Sequence, residues 1–185
     1  MFSVRYRIID NLEMLGHISA EEFDKIFPSG GIAGDIEIIF GSNRVGLYRE
    51  GPLCDVSGWD DVDYWINSLL GVLLCFQSGI DCVAFRLIED AYRWLEFYRN
   101  SSGVIVNEVY EVAPIDQTHF IVGKCNYLTC NDPSEYITPY ELFSATLLDT
   151  AIRFLHEIHE LNPALLKTHI IASIAEKIAQ LSRLQ

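Results

Sequence analysis

Positive charge is what this sequence has least of: 13 Lys and Arg stand against 26 Asp and Glu, a formal charge of −13. Such a field repels phosphate backbones, so a nucleic-acid reader would need a local basic patch, and the linear sequence offers none. A long apolar run is missing too. The longest, Leu69–Phe76 (LLGVLLCF), falls far short of the ~20 residues a bilayer helix needs. The opening MFSVRYRIID puts Arg5 and Arg7 where a signal peptide keeps its apolar stretch. These absences lead to the expectation of a cytoplasmic protein that meets neither nucleic acid nor membrane. Cysteine pairs are also lacking. Cys54, Cys75, Cys82, Cys125 and Cys130 are odd in number and show no CxxC spacing, a pattern of reduced thiols.

What is present suffices for a core. Half of the 185 residues are hydrophobic, 12% are aromatic and only 21% are charged, which excludes intrinsic disorder. The length fits one domain at ~150 residues per domain. Phe2, Val4, Tyr6 and Ile8 alternate as a first strand. Ser19 with Glu22 forms a capping box, predicting a short helix Ser19–Phe27 that Pro28 and Gly30-Gly31 end. Asp35–Phe40 and Arg44–Arg49 alternate about Gly41-Ser42-Asn43, a hairpin pattern. Asp60, Asp61 and Asp63 then open an apolar helix running to about Phe76.

Cys82–Glu89, Tyr92–Arg99 and Val104–Val112 read as a strand meander, with His119–Gly123 offering a fourth strand. The middle strand carries Leu95 and Phe97 on one face and Tyr92, Trp94 and Tyr98 on the other, as a strand covered on both sides would. Thr138-Pro139-Tyr140-Glu141 combines an N-cap, a first-turn Pro and a capping-box Glu for a helix to about Leu161. Asn162-Pro163 starts a last helix with Leu166, Ile170, Ile174, Ile178 and Leu181 inward. The fold class is therefore α+β: an antiparallel sheet of meander and hairpins, packed by a central helix and a C-terminal antiparallel αα-hairpin. One domain, 1–185, divides into a sheet-rich part, 1–137, and a helical hairpin, 138–185.

Catalytic and metal patterns fall short. His156-Glu157-Ile158-His159-Glu160 lacks the four-residue histidine spacing of a zincin, and Ile158 belongs to the core stripe. Cys75 and Cys82 sit in apolar surroundings, while Cys54 and Cys130 lie among acids that raise a thiol pKa. Gly30-Gly31-Ile32-Ala33-Gly34 has the glycine density of a phosphate cradle, but a strand follows it and the Lys of a P-loop is missing, so it reads as a flexible turn. Asp60-Asp61-Val62-Asp63 lacks calcium-loop spacing. No catalytic residue, metal or cofactor is assigned.

Acid is concentrated in two tracts. No Lys or Arg occurs between Glu50 and Asp81, and from Asn107 to Asp149 seven acids face Lys124 alone. In the first tract, carboxylates complement a helix dipole or meet a partner. In the second, Asp132-Pro133-Ser134-Glu135-Tyr136 joins acid to an aromatic, as either a solvated loop or a surface for Lys and Arg. The candidate partner-binding residues are Asp60, Asp61, Asp63, Asp116, Asp132, Glu135 and Tyr136.

The acidic-apolar hairpin GDIEIIFGSNRVGLYREGP, the helix opening WDDVDYWINSLL and the pair FRLIED…YRWLEFYR resemble immunity proteins of bacterial polymorphic toxin systems, including contact-dependent growth inhibition. The resemblance spans somewhat under half the chain, Gly34 to about Val112. It implies a non-enzymatic inhibitor that binds the C-terminal domain of a cognate toxin, often a basic nuclease. The alternatives are a small-molecule-handling enzyme with a pocket between sheet and C-terminal helices, and a self-associating adaptor domain. From the cysteine pattern, all five thiols are expected reduced and alkylatable in freshly purified, unfolded protein. A Cys125–Cys130 bridge detected by mass spectrometry would overturn this.

Overall fold

Alternating apolar residues build the first sheet. In the computed structural model, which describes residues 1–9, 12–28, 30–51, 60–88, 90, 92–115 and 118–183, β1 (Phe2–Ile8) runs antiparallel to β2 (Ala33–Phe40) from Phe2↔Phe40 to Ile8↔Gly34. Gly41, at φ +65°, then turns the chain into β3 (Asn43–Leu47), which also pairs antiparallel with β2. Phe2, Val4, Tyr6, Ile36, Ile38, Phe40 and Val45 face inward and are buried. Two short helices, α1 (Leu12–His17) and α2 (Ala20–Ile26), fill the β1–β2 connection. The capping box places α2 correctly: Ser19 Oγ accepts from Glu22 N–H at 3.2 Å. A two-residue strand, β4 (Asp60–Asp61), pairs with the start of β2 and leads into α3 (Val62–Gln77).

The meander forms the second sheet. Strands β5 (Cys82–Arg86), β6 (Arg93–Asn100) and β7 (Gly103–Glu111) follow one another antiparallel, and β8 (Phe120–Val122) adds to the outer edge of β5. Short strands β9 (Leu128–Thr129) and β10 (Ile137–Thr138) pair with opposite ends of β7. The central strand β6 is apolar on both faces as its sequence suggests, with Leu95 and Phe97 in the main core and Trp94 in a second cluster with Ala84 and Val109. Tyr92 and Tyr98 depart from that expectation and are exposed.

Helix α3 is covered by both sheets and by the later helices, so ten of its residues are buried. The α+β architecture rests on this shared core. Phe143, on α4 (Tyr140–Leu161), meets Phe2 of the first sheet at 4.9 Å, Phe97 of the second at 6.0 Å and Phe76 of α3 at 6.2 Å between ring centroids. Burying such a ring contributes roughly 1.5–3 kcal/mol.

The capping box expected at Thr138 is corrected. Pro139, at φ −52° and ψ 135°, keeps the chain extended, Thr138 pairs with Val104 as a strand residue, and no side chain caps α4. The expected last helix is split into a 3₁₀ turn, Pro163–Lys167, and α5 (His169–Arg183), which lies mainly on α3. Asn162 joins these parts. Its Oδ1 accepts from Ala164 N–H at 3.0 Å, and its Nδ2 donates to the carbonyls of Leu15 and Ile18, both at 2.8 Å. Asn162→Ala strips the cap and leaves two carbonyls without their donor, so denaturant unfolding is expected to show a loss of ~2–4 kcal/mol. A loss below ~0.5 kcal/mol would show that the junction does not depend on it.

Candidate partner-binding cleft

Helix α3 begins on a carboxylate that its own chain binds. Asp63 is fully buried, and its oxygens accept from the backbone N–H groups of Gly31 at 3.1 Å, Ile32 at 3.2 Å and Tyr64 at 3.0 Å. The glycine run that resembles a phosphate cradle thus holds an anion after all, the protein's own. Gly30, at φ +95°, has no room for a side chain: a Cβ there would lie 2.9 Å from Asp63 Oδ2. Asp60 is buried as well and accepts from Trp65 Nε1 at 2.9 Å. Asp61 is half-buried in β4.

Asp60 and Asp63 are therefore corrected as partner-binding candidates, whereas Asp61 is only half-buried and keeps that standing. Buried carboxylates need donors, and here the donors lie inside the fold. Asp116 and Cys54 lie outside the described residues.

Asp132, Glu135 and Tyr136 stand together in the connection from β9 to β10. Outward and inward side chains alternate there: Asp132, Pro133, Glu135, Ile137, Pro139, Glu141 and Leu142 are exposed, whereas Ser134, Tyr136, Thr138 and Tyr140 turn toward the body. Each inward residue has an anchor. Ser134 N–H donates to Asn107 Oδ1 at 2.9 Å, Tyr136 lies against Gly41, and the Tyr140 ring meets Phe76 at 6.4 Å.

Beside this ridge, between the β2–β3 hairpin and β7, runs a cleft of about 390 Å³ lined by Asn43, Arg44, Asn107, Glu108, Tyr110 and Asp132 among others. Partial burial would raise the Glu108 pKa, but the Tyr110 hydroxyl and the Arg93 guanidinium hold it below the ordinary carboxylate range. Glu108 stays ionised, its charge met by Arg93.

The cations are tied inward. On the outer face of the first sheet, Arg5 bonds Glu37 at 2.6 Å, and Arg7 and Arg49 hold the buried Asp35 at 3.1 and 2.6 Å. Burial acts to raise the Asp35 pKa, and these guanidiniums more than offset it. Tyr48 lies beneath Arg5, at 4.5 Å from its ring centroid. No sequence window shows this arginine cluster, because β1, β2 and β3 bring it together. Every arginine except Arg183 has an intramolecular partner among the described residues. Asp132, Glu135 and Glu141 are exposed and, among the described residues, have no cation within ion-pair distance.

His156 and His159 are exposed on α4, and among the described residues no group of three His, Cys, Asp or Glu is placed to hold a metal ion. Burial raises the thiol pKa of Cys75, and burial with Glu96 nearby raises that of Cys82 to about 11. No described helix is long and apolar enough to cross a membrane. Comparisons with protein-family models, curated proteins and solved structures returned no match.

Burial, with the charge of Asp61 adding to it, pushes the Asp63 pKa from an ordinary 3.8 up to about 6 despite three amide donors. Below about pH 4 folded and unfolded chains both hold this proton, and between about 4 and 6 only the folded chain does. Its contribution is complete below about pH 4 and is lost as pH rises through about 6. Asp63→Asn cannot titrate, so its stability relative to wild type is expected to rise by up to ~3 kcal/mol from pH 4 to pH 7. Urea unfolding at stepped pH reads this directly, and a constant gap would contradict it.

Proposed function

We propose that this protein is a non-enzymatic, immunity-type inhibitor that acts in the cytoplasm by binding the basic C-terminal domain of a cognate toxin. The observation that carries the reading is the ridge 132–142, where exposed acids alternate with exposed apolar residues while the arginines are paired within the fold. Uncompensated carboxylates steer a basic partner and raise the association rate. Pro133, Ile137 and Leu142, intercalated between them, supply apolar area that desolvates the contact and slows dissociation.

The test looks for a toxin gene adjoining this one and measures binding to its C-terminal domain at two ionic strengths; the lack of such a basic partner would count against the reading. Asp132→Lys combined with Glu135→Lys is expected to weaken binding by about tenfold or more at low salt and by less at high salt. Because both side chains are exposed, thermal stability is expected to change little. Unchanged affinity and unchanged salt dependence in the double variant would reduce the acidity to solubility alone.

A further inference from the structure

A second recess lies away from the acidic ridge, between α3, α5 and the entry to β8. It holds about 240 Å³ and is lined by Tyr64, Asn67, Ser68 and Gly71 of α3, His119 and Phe120 before and in β8, and Lys177 of α5. The four α3 residues recur at positions i, i+3, i+4 and i+7, so they form one polar stripe on an otherwise apolar helix. Gly71 lets the Phe120 ring come down onto α3, since a Cβ there would press within 3.2 Å of that ring and lie 3.8 Å from Lys177 Nζ.

Two polar side chains in this recess keep N–H groups to give, Lys177 and Asn67. Lys177 Nζ donates to the Asn67 carbonyl at 2.9 Å and to Asn67 Oδ1 at 2.8 Å, both neutral oxygens. An ammonium carries three N–H groups, so one remains. No described carboxylate lies within ion-pair distance of it, in a protein whose net charge is −13. Asn67 Oδ1 also accepts from Ser173 Oγ at 3.1 Å. That fixes the amide with its oxygen toward Lys177 and Ser173 and leaves Nδ2 with both N–H groups to give.

We infer that this recess binds a small organic carboxylate, its head taken by Lys177 Nζ and Asn67 Nδ2 and its carbon body lying against the Phe120 ring. Charge complementarity selects the ligand. A half-buried cation without a counter-ion among the described residues, beside an oriented amide donor, favours an anion over its neutral isostere. Burial already lowers the Lys177 pKa, as it does for an ammonium lacking a counter-charge. Lys124, Lys25 and Lys167, by contrast, are exposed to water, which serves as their partner.

The experiment titrates the intact protein with benzoate and butyrate, and with benzamide and butyramide as uncharged counterparts, following amide resonances by NMR. The expected result is saturable shifts at Asn67, Gly71 and Phe120 with a carboxylate, and binding at least about tenfold weaker for its amide. Lys177→Met is expected to abolish that preference. Because Lys177 also braces α3, Asn67→Asp serves as the second variant: it keeps the shape and the oxygen that Lys177 bonds, supplies the missing counter-charge, and is expected to weaken carboxylate binding by at least about tenfold. Equal binding of acid and amide, no saturable shift, or unaltered carboxylate affinity in a folded Asn67→Asp protein would overturn the inference. Its failure is separable from that of the toxin-binding reading, since Asn67→Asp leaves the ridge 132–142 untouched.

Discussion

The buried carboxylate of Asp63 fixes where the central helix begins, and the two sheets and three long helices are arranged about that helix. Three backbone amides converge on it, two from the loop before β2 and one from α3 itself. Sheet and helix are thereby joined at one point. From there α3 runs between the sheets, so the position of Trp65 against Phe85 and of Phe76 against Phe143 follows from where the first turn is held. Gly30 and Gly31 are required because any side chain would displace the carboxylate or the neighbouring Phe27 ring. The arrangement concentrates an electrostatic cost at one site in order to orient many apolar contacts, and the raised pKa of Asp63 reports that cost.

A different use of charge governs the first sheet. Arg5 lies opposite Glu37 and Arg7 opposite Asp35 in the β1–β2 register, so each acid meets its cation directly across the ladder. Buried ion pairs contribute little net stability against hydrophobic replacements. They do penalise misalignment: a slip of one residue would carry Asp35 and Glu37 to the core face and leave the arginines unpaired. The chain spends its scarce cations on register, and the acids that remain unpaired lie elsewhere.

Periodicity made most elements readable. Val4 and Tyr6, Ile36 and Ile38, and Leu95 and Phe97 announce strands because their alternation matches a half-buried sheet. Phe143, Leu147, Ala151, Phe154 and Ile158 announce α4 in the same way. Cap chemistry was legible only where no tertiary demand competed. Ser19 caps α2, but Thr138 is drawn into pairing with β7. The candidate site was half legible. Asp132, Glu135 and Tyr136 do share one ridge, whereas Asp60 and Asp63, equally acidic and equally near a helix start, turn inward. Nothing in their spacing could say so, since their donors, the Trp65 ring and the Gly31 amide, become neighbours only on folding. The arginine cluster and the recess at Lys177 were hidden for the same reason.

The alternation along residues 132–142 divides labour between two sets of side chains. Ser134, Tyr136, Thr138 and Tyr140 hold the ridge to the body, and Asp132, Glu135, Ile137 and Glu141 present it to solvent. Exchanges in the outward set change folding free energy by only ~0.5 kcal/mol or so, while exchanges in the inward set disturb anchors. On the proposed reading, recognition here drifts quickly under selection while the scaffold stays put, and a lineage of such proteins could diversify its specificities one outward residue at a time without first acquiring extra stability.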